Sequence, residues 1–347
     1  MADGVSLDLE FRRQVWQGQL PLEIVLDDGD REYLLGSGKD FFIPSYFVTT
    51  HRWNYLSLVS VEIMGWLREL ASSHRPAADL PVLQADRLWY TTTSNNAQPT
   101  PLKWHYPLGL LYDLECARMR KVVKSSTNAQ SPFQFTAGEA LEPIPMPWKL
   151  TLHLQRYPKE KLLDNPTVES THNLFMAQYK ESEFLRHGSI TRVMNLAKKD
   201  QMQLWDSLIQ PNYDRFWAVN EHVLGLSVLS PQTTSEKPLP GNGSPVLKHI
   251  PFRVYTVVAQ DAVVQVPLTL PPEGRSTWTV GDAIRYALDP RQFASGTAPP
   301  TAVADSGVGD TPMVVITQGV TVDLSTPLLW LYRHFCYPDN FLHLLVL

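Results

Sequence analysis

Apolar and polar positions alternate from Leu20 to Asp27, with Leu22, Ile24 and Leu26 on one face. A period of two residues predicts a half-buried strand. Before it, Glu10 to Gln17 with Trp16 is amphipathic and predicts an N-terminal helix within residues 1–19. A second extended segment is expected from Tyr33 through Phe42, Tyr46 and Val48. From Trp53 to Ala71 the spacing of Leu58, Ile63, Trp66, Leu67 and Leu70 is helical, with a stop near Pro76. Leu88 to Thr93 and Trp148 to Gln155 read as further strands, and Thr100 to Leu114 mixes prolines, aromatics and a short apolar run. Lys121 to Pro147 is rich in Ser, Asn, Gln and Pro and is expected to be an insertion.

The last third repeats this grammar. His249 to Ala259 and Ala262 to Leu270 are β-branched runs separated by Gln260-Asp261, which predicts a hairpin. Thr279 is placed to cap a helix with Val280, Ile284, Ala287 and Leu288 on its apolar face, and Asp282 takes the capping-box position. Met313 to Asp323 is strand-like, Pro327 to Phe335 a short helix, and Phe341 to Leu347 a last strand. Both flanks thus follow a strand, strand, helix, strand order. Several α+β folds share it, among them the β-grasp of ubiquitin.

Between the flanks the pattern is helical throughout. On a wheel of 3.6 residues per turn, Leu174, Ala177, Phe184 and Leu185 fall on one side of the helix from Ser170 to His187. Phe175, Met176 and Tyr179 fall on another, and the narrow polar sliver between them carries Asn173, Lys180 and His187. Apolar groups on two sides predict a helix packed between two bodies. Glu181 falls inside an apolar arc and calls for a basic partner. Met202, Trp205, Leu208 and Ile209 predict a second amphipathic helix; Pro211 opens a third, with Phe216, Trp217, Val219, Val223 and Leu224, closed by Gly225. The predicted organisation is α+β: an N-terminal helix (1–19), a first domain of that order (20–158, insertion 121–147), a helix-rich domain (164–229), a linker (230–247) and a second domain of that order (248–347, loop 289–312), with the ubiquitin-like β-grasp as the candidate fold for both.

Composition and charge narrow the function. The 347 residues suffice for two or three cores, and a formal charge of -5 lacks the basic face that nucleic-acid binding requires. Cys116 and Cys336, far apart, make no disulfide framework and point to a reducing compartment. The first ten residues have no apolar signal-peptide core, and no apolar run is long enough for a bilayer. Gly36-Ser37-Gly38-Lys39 lacks the spacing of a phosphate loop, and no zinc or nucleophile-elbow motif occurs. His51, His153, His222 and His343 show no metal-ligand spacing, and neither metal nor cofactor is expected. Cys116 with His105 upstream allows a thiol enzyme, against the plainer reading of a buried cysteine. Lys180 beside Glu181 and Glu183 is no nucleophile by itself, because carboxylates favour the ammonium form. Read alone, it is a solvated helix lysine.

TPLKWHYPLGLLYDL (100–114) and YPDNFLHLLVL (337–347) closely resemble the autophagy protein 5 family. So do VWQGQLPLEIVL (15–26), KKDQMQLWDSL (198–208), DRFWAVN (214–220) and IPFRVY (250–255), in the same order. The resemblance implies two ubiquitin-like domains flanking a helix-rich domain, and a protein that is no enzyme by itself. It implies a lysine joined by an isopeptide bond to autophagy protein 12, which the NLFMAQYKESEFLRH stretch puts at Lys180. Autophagy proteins 7 and 10 would act during conjugation. The conjugate would bind the N-terminal helix of autophagy protein 16 and act like an E3, stimulating autophagy protein 3 to transfer autophagy protein 8 to phosphatidylethanolamine. The expected location is cytoplasmic, peripheral on the preautophagosomal (phagophore) membrane. Candidate groove residues for the partner helix are Phe41, Tyr46 and Trp217, with a core position the plainer reading of each. Arg192, Lys198 and Lys199 form the compact basic cluster for membrane contact, with a solvated face as the alternative. The competing reading is an adaptor that binds partner helices without being conjugated.

Overall fold

The computed structural model describes all residues except 1, 37–41, 93–98, 127–143, 226–246, 257–262, 269–277 and 289–312, and of 2–7 and 120–126 the backbone alone. The chain divides into two compact units, Gln17–Leu174 and Met1–Trp16 with Phe175–Leu347.

Helix α1 (Ala2–Gln17) leads into β1 (Gln19–Leu26), where burial alternates as the sequence requires: Leu20, Leu22, Ile24 and Leu26 are buried and their neighbours are not. A short helix α2 (Arg31–Leu35) follows, then β2 (Tyr46–His51). The extended segment expected from Tyr33 is therefore two elements. Leu34 and Leu35 are both buried within that helical turn. Helix α3 (Leu56–His74) buries Leu56, Val59, Ile63, Met64, Leu67 and Ala71 at three- and four-residue spacing. It ends at Arg75, whose extended backbone is what a residue before proline adopts. Strand β3 (Trp89–Thr92) precedes α4 (Leu108–Ser126), and β4 (Trp148–His153) completes the sheet.

Helix α4 corrects the sequence reading twice. The run after Pro107 is a helix, and it continues through Ser126, six residues into the expected insertion 121–147; most of the remainder, 127–143, lies outside the described residues. Every residue from 108 to 117 is buried. That includes Asp113, satisfied by Arg52 at 2.5 Å. With no polar face there is no period to read.

The sheet order is β2-β1-β4-β3, with β1 parallel to β4 and the other pairs antiparallel. Leucines of β1, β4, α3 and α4 share one core. At about 1.5–3 kcal/mol per fully buried large apolar side chain, such a core offsets the chain entropy of ordering the sheet.

The other unit holds α5 (Val168–His187) from Phe175 onward, α6 (Thr191–Met194), α7 (Lys198–Ile209) and α8 (Tyr213–Leu224). Pro211 does not open α8. Asn212 caps it, its side chain accepting a hydrogen bond from the Arg215 N–H. Then come β5 (Phe252–Thr256), β6 (Val263–Val264), α9 (Val280–Leu288), β7 (Val315–Thr317), β8 (Val320–Val322), α10 (Leu328–Phe335) and β9 (Leu342–Val346). The order β6-β5-β9-β7-β8, with β5 parallel to β9, repeats the first sheet and adds one strand. Strand β9 is central, and all five of its residues are buried.

Strands β5 and β6 pair antiparallel as expected; their Gln260-Asp261 turn, the linker through residue 246 and the loop 289–312 lie outside the described residues. The single strand expected over 313–323 is a tight hairpin. Gln318 (φ 52°) and Gly319 (φ 78°) both occupy the left-handed region, the two-residue turn whose twist matches its strands. At α9 the capping box is formed: the Asp282 N–H donates to Thr279 Oγ1 at 3.2 Å, and the Thr279 N–H donates to Asp282 Oδ2 at 3.1 Å. Thr279→Ala is expected to cost about 1 kcal/mol, read as a lower urea midpoint at unchanged slope.

Candidate functional site

Helix α5 starts where Thr167 Oγ1 accepts the Ser170 N–H, with Glu169 in the first turn and Arg186 and His187 in the last. Both charges suit the helix dipole. Its buried stripe is Thr171, Phe175, Tyr179, Ser182, Glu183 and Arg186. This corrects the expected apolar face. Phe184 is 55% exposed, Ala177 is exposed, and Leu174 and Leu185 are half-buried. Polar side chains take the interior positions because each has a partner there. The Tyr179 hydroxyl donates to Asn220 Oδ1 at 2.7 Å, and Arg186 Nη2 donates to the Val223 carbonyl at 3.0 Å.

Lys180 lies in the polar sliver, half-buried between exposed Asn173 and half-buried His187. Among the described residues its ammonium group has no hydrogen-bond or ion-pair partner. The two carboxylates nearest in sequence are committed elsewhere. Glu181 receives hydrogen bonds from Arg253 Nη2 at 3.1 Å and Gln265 Nε2 at 2.9 Å, the basic partner that its place on the wheel called for. Glu183 is 1% exposed with Arg186 Nη2 at 3.5 Å, and burial holds its carboxyl above the ordinary value against the pull of Arg186 and Arg192.

Of the proposed groove residues, Phe41 lies outside the described residues. Tyr46 belongs to the first unit, half-buried with its ring 5.4 Å from that of Trp66. Trp217 is 6% exposed under the Arg12 guanidinium, 4.4 Å from the ring centroid. It also lines a groove of about 440 Å³ formed by α1 and α8, where Leu9 supplies apolar surface and Arg13 lies among Glu10, Asp214 and Glu221. The sequence offered Trp217 but not Leu9 or Glu10, because pairing of α1 with α8 links residues about two hundred apart: Arg12 meets Glu221, and Arg13 meets Asp214, both at 2.7 Å.

The basic cluster does not act as one group. Arg192 is half-buried, donates Nη1 to the Val223 carbonyl at 3.0 Å and sits against Gly225, the left-handed residue closing α8. Burial lowers its pKa. Lys198 and Lys199 are exposed in the first turn of α7. Met202 and Ile209, expected on that helix's inner face, are about half exposed, and Leu204 takes the buried place.

Both thiols are buried. Burial pushes Cys116 up and Cys336 up to about 12, the reverse of what activates a nucleophile. One donor cluster escaped sequence reasoning. Asp27, Asp30 and His153 bring ligand atoms within 4.8 Å of one another, because parallel β1 and β4 end side by side. All three have other partners: Asp27 accepts the Gly29 N–H, Asp30 accepts the Leu154 N–H, and His153 meets Thr91 Oγ1 at 2.9 Å.

Two β-grasp sheets separated in sequence by a helical bundle define a multi-module protein of the ubiquitin-like class. Comparison with known proteins gives the particular family. Residues 15–154 match the UblA domain, 168–225 the alpha-helical bundle region and 249–346 the UblB domain of autophagy protein ATG5. Autophagy protein 5 of Phaeosphaeria nodorum is 30% identical over 97% of this chain and 96% of its own. That of Drosophila melanogaster is 26% identical over 98% and 97%. The crystal structure of Kluyveromyces marxianus Atg5 superposes with a TM-score of 0.62 at 20% identity, covering 97% of this chain and 99% of that one, a likeness of fold. The chain belongs to the autophagy protein 5 family.

Proposed function

We propose that this chain is the acceptor and scaffold subunit of an E3-like conjugation complex, with Lys180 joined to autophagy protein 12. One observation carries the assignment: Lys180 is free of ion pairs among the described residues while both adjacent carboxylates are engaged with other cations. An acceptor amine needs no activating group of its own, since the conjugating enzyme's thioester supplies the electrophile. The deprotonated Nζ attacks the thioester carbonyl, the C–N bond forms, the C–S bond breaks, and the proton shed by nitrogen ends on the leaving thiolate.

The groove between α1 and α8 supports binding of an amphipathic partner helix, that of autophagy protein 16, whose apolar face would meet Leu9 and whose basic residue would face Glu10. In this reading the assembled conjugate stimulates autophagy protein 3 to lipidate autophagy protein 8. Among the described residues no helix is long and apolar enough to cross a membrane. Contact with the phagophore is proposed to be peripheral, through Lys198 and Lys199, with Arg192 committed to α8.

The test is intact-mass analysis of the chain purified from cells that carry the conjugation enzymes. The expected result is a species heavier by one ubiquitin-like modifier, absent in Lys180→Arg. A shifted species that survives the substitution overturns the assignment, and an unmodified wild-type chain supports the plain adaptor.

A further inference from the structure

The residues on either side of Lys180 are both anchored, and in different directions. Tyr179 is fully buried and donates its hydroxyl to Asn220, which exchanges two side-chain amide hydrogen bonds with Asn340 at 3.0 and 2.8 Å. Glu181 is held in a closed ring of three side chains. Arg253 Nη2 donates to Glu181 Oε2, Gln265 Nε2 donates to Glu181 Oε1, and Arg253 Nε donates to Gln265 Oε1 at 2.8 Å. The Arg253 guanidinium is itself fixed, 3.8 Å over the Phe341 ring.

Successive residues on a helix project about 100° apart. Fixing the residue before and the residue after therefore sets the rotation of α5 about its axis, and with it the direction in which Lys180 leaves the surface. A bimolecular transfer gains its rate from orientation at the reacting atoms, and small misplacements are costly there. In stability terms the ring counts for little, because the Glu181 side chain is 44% exposed and such pairs are screened. An anchor of small stabilising value, placed next to the reacting amine and built from β5 and the segment after β6, is explained by positioning.

We propose that Glu181, with Arg253 and Gln265, positions Lys180 for attack on the modifier thioester; this rests on the reading of Lys180 as acceptor. The carboxylate acts by shape, as a double acceptor, and not by its charge.

The experiment is single-turnover transfer from a thioester-charged conjugating enzyme to the full-length chain, across enzyme concentration and pH, with the branch site mapped by peptide mass spectrometry. Glu181→Ala is expected to lower the maximal rate about tenfold, with the half-saturating enzyme concentration and the melting temperature unchanged. Glu181→Gln keeps one acceptor oxygen but sets an amide donor against Arg253 or Gln265, so its rate is expected to fall between wild type and the alanine, with the same pH profile. A wild-type rate in Glu181→Ala overturns the proposal. So does a Glu181→Gln variant as slow as the alanine, or a loss confined to half-saturation. These outcomes, with the branch still on Lys180, leave the acceptor reading standing. A branch on another lysine of the unsubstituted chain overturns both.

Discussion

Replacing Arg186 with methionine is expected to destabilise the chain by about 3–5 kcal/mol. Arg186 and Glu183 are each 1% exposed, one helical turn apart on the inner side of α5. Removing the guanidinium strands a carboxylate that water does not reach, and it also removes the donor to the Val223 carbonyl. Arg192 remains nearby, but only half-buried and bound to that same carbonyl. The loss should depend on pH in a defined direction. Burial already raises the Glu183 pKa above its unfolded value. A raised carboxyl contributes stability that is full below the unfolded pKa and is lost as pH rises through the folded one. Without Arg186 the folded value rises further, so the deficit against wild type should be smaller at pH 5 than at pH 7.5. Urea unfolding at the two pH values reads this directly. The double variant Glu183→Leu, Arg186→Met removes both charges at similar volume and should recover most of the loss. A double variant as unstable as the single one would show that packing, and not the stranded charge, sets the cost.

What the sequence disclosed follows from which signals are local. Strand β1 and the Thr279 capping box are written in neighbouring residues, and the structure repeats them nearly position for position. Lys180 was legible as a polar position because its helix has a period. The turn inside β7–β8 was hidden because Gln318 replaces the asparagine or aspartate that usually announces it. Burial of Glu183 and Arg186 was illegible for a different reason: residue type predicts exposure for both, and the partners that reverse it include the distant Val223 carbonyl. Glu181 marked itself as anomalous within an apolar arc, yet its partner lies 72 residues away on another element. Nonlocal pairing likewise concealed the α1–α8 groove and the meeting of Asp27, Asp30 and His153.

Substitution of Asn220 is the other large effect. Asn220 and Asn340 have no exposure, and Asn220→Ala removes both hydrogen bonds that the Asn340 amide exchanges with it and the acceptor of the Tyr179 hydroxyl. At about 1–3 kcal/mol for each orphaned group, the expected loss is about 3 kcal/mol. Asn220→Asp separates hydrogen bonding from shape. One carboxylate oxygen can still accept from Tyr179, but the other takes the place of the amide donor and confronts Asn340 Oδ1, acceptor against acceptor. Protonating that oxygen restores a donor. The aspartate variant should therefore regain stability on acidification, over the range above the unfolded carboxyl value, whereas the alanine variant tracks the wild-type pH dependence. Asn340 carries a second constraint, since its φ of 63° is one that asparagine tolerates and alanine does not. Asn340→Gly loses the same hydrogen bonds as Asn340→Ala without the backbone cost, and the glycine variant should be more stable by about 1–2 kcal/mol. Equal midpoints for the two in urea unfolding would mean that the turn before β9 relaxes freely. In that case the side-chain pair, and not backbone conformation, sets the cost of losing Asn340.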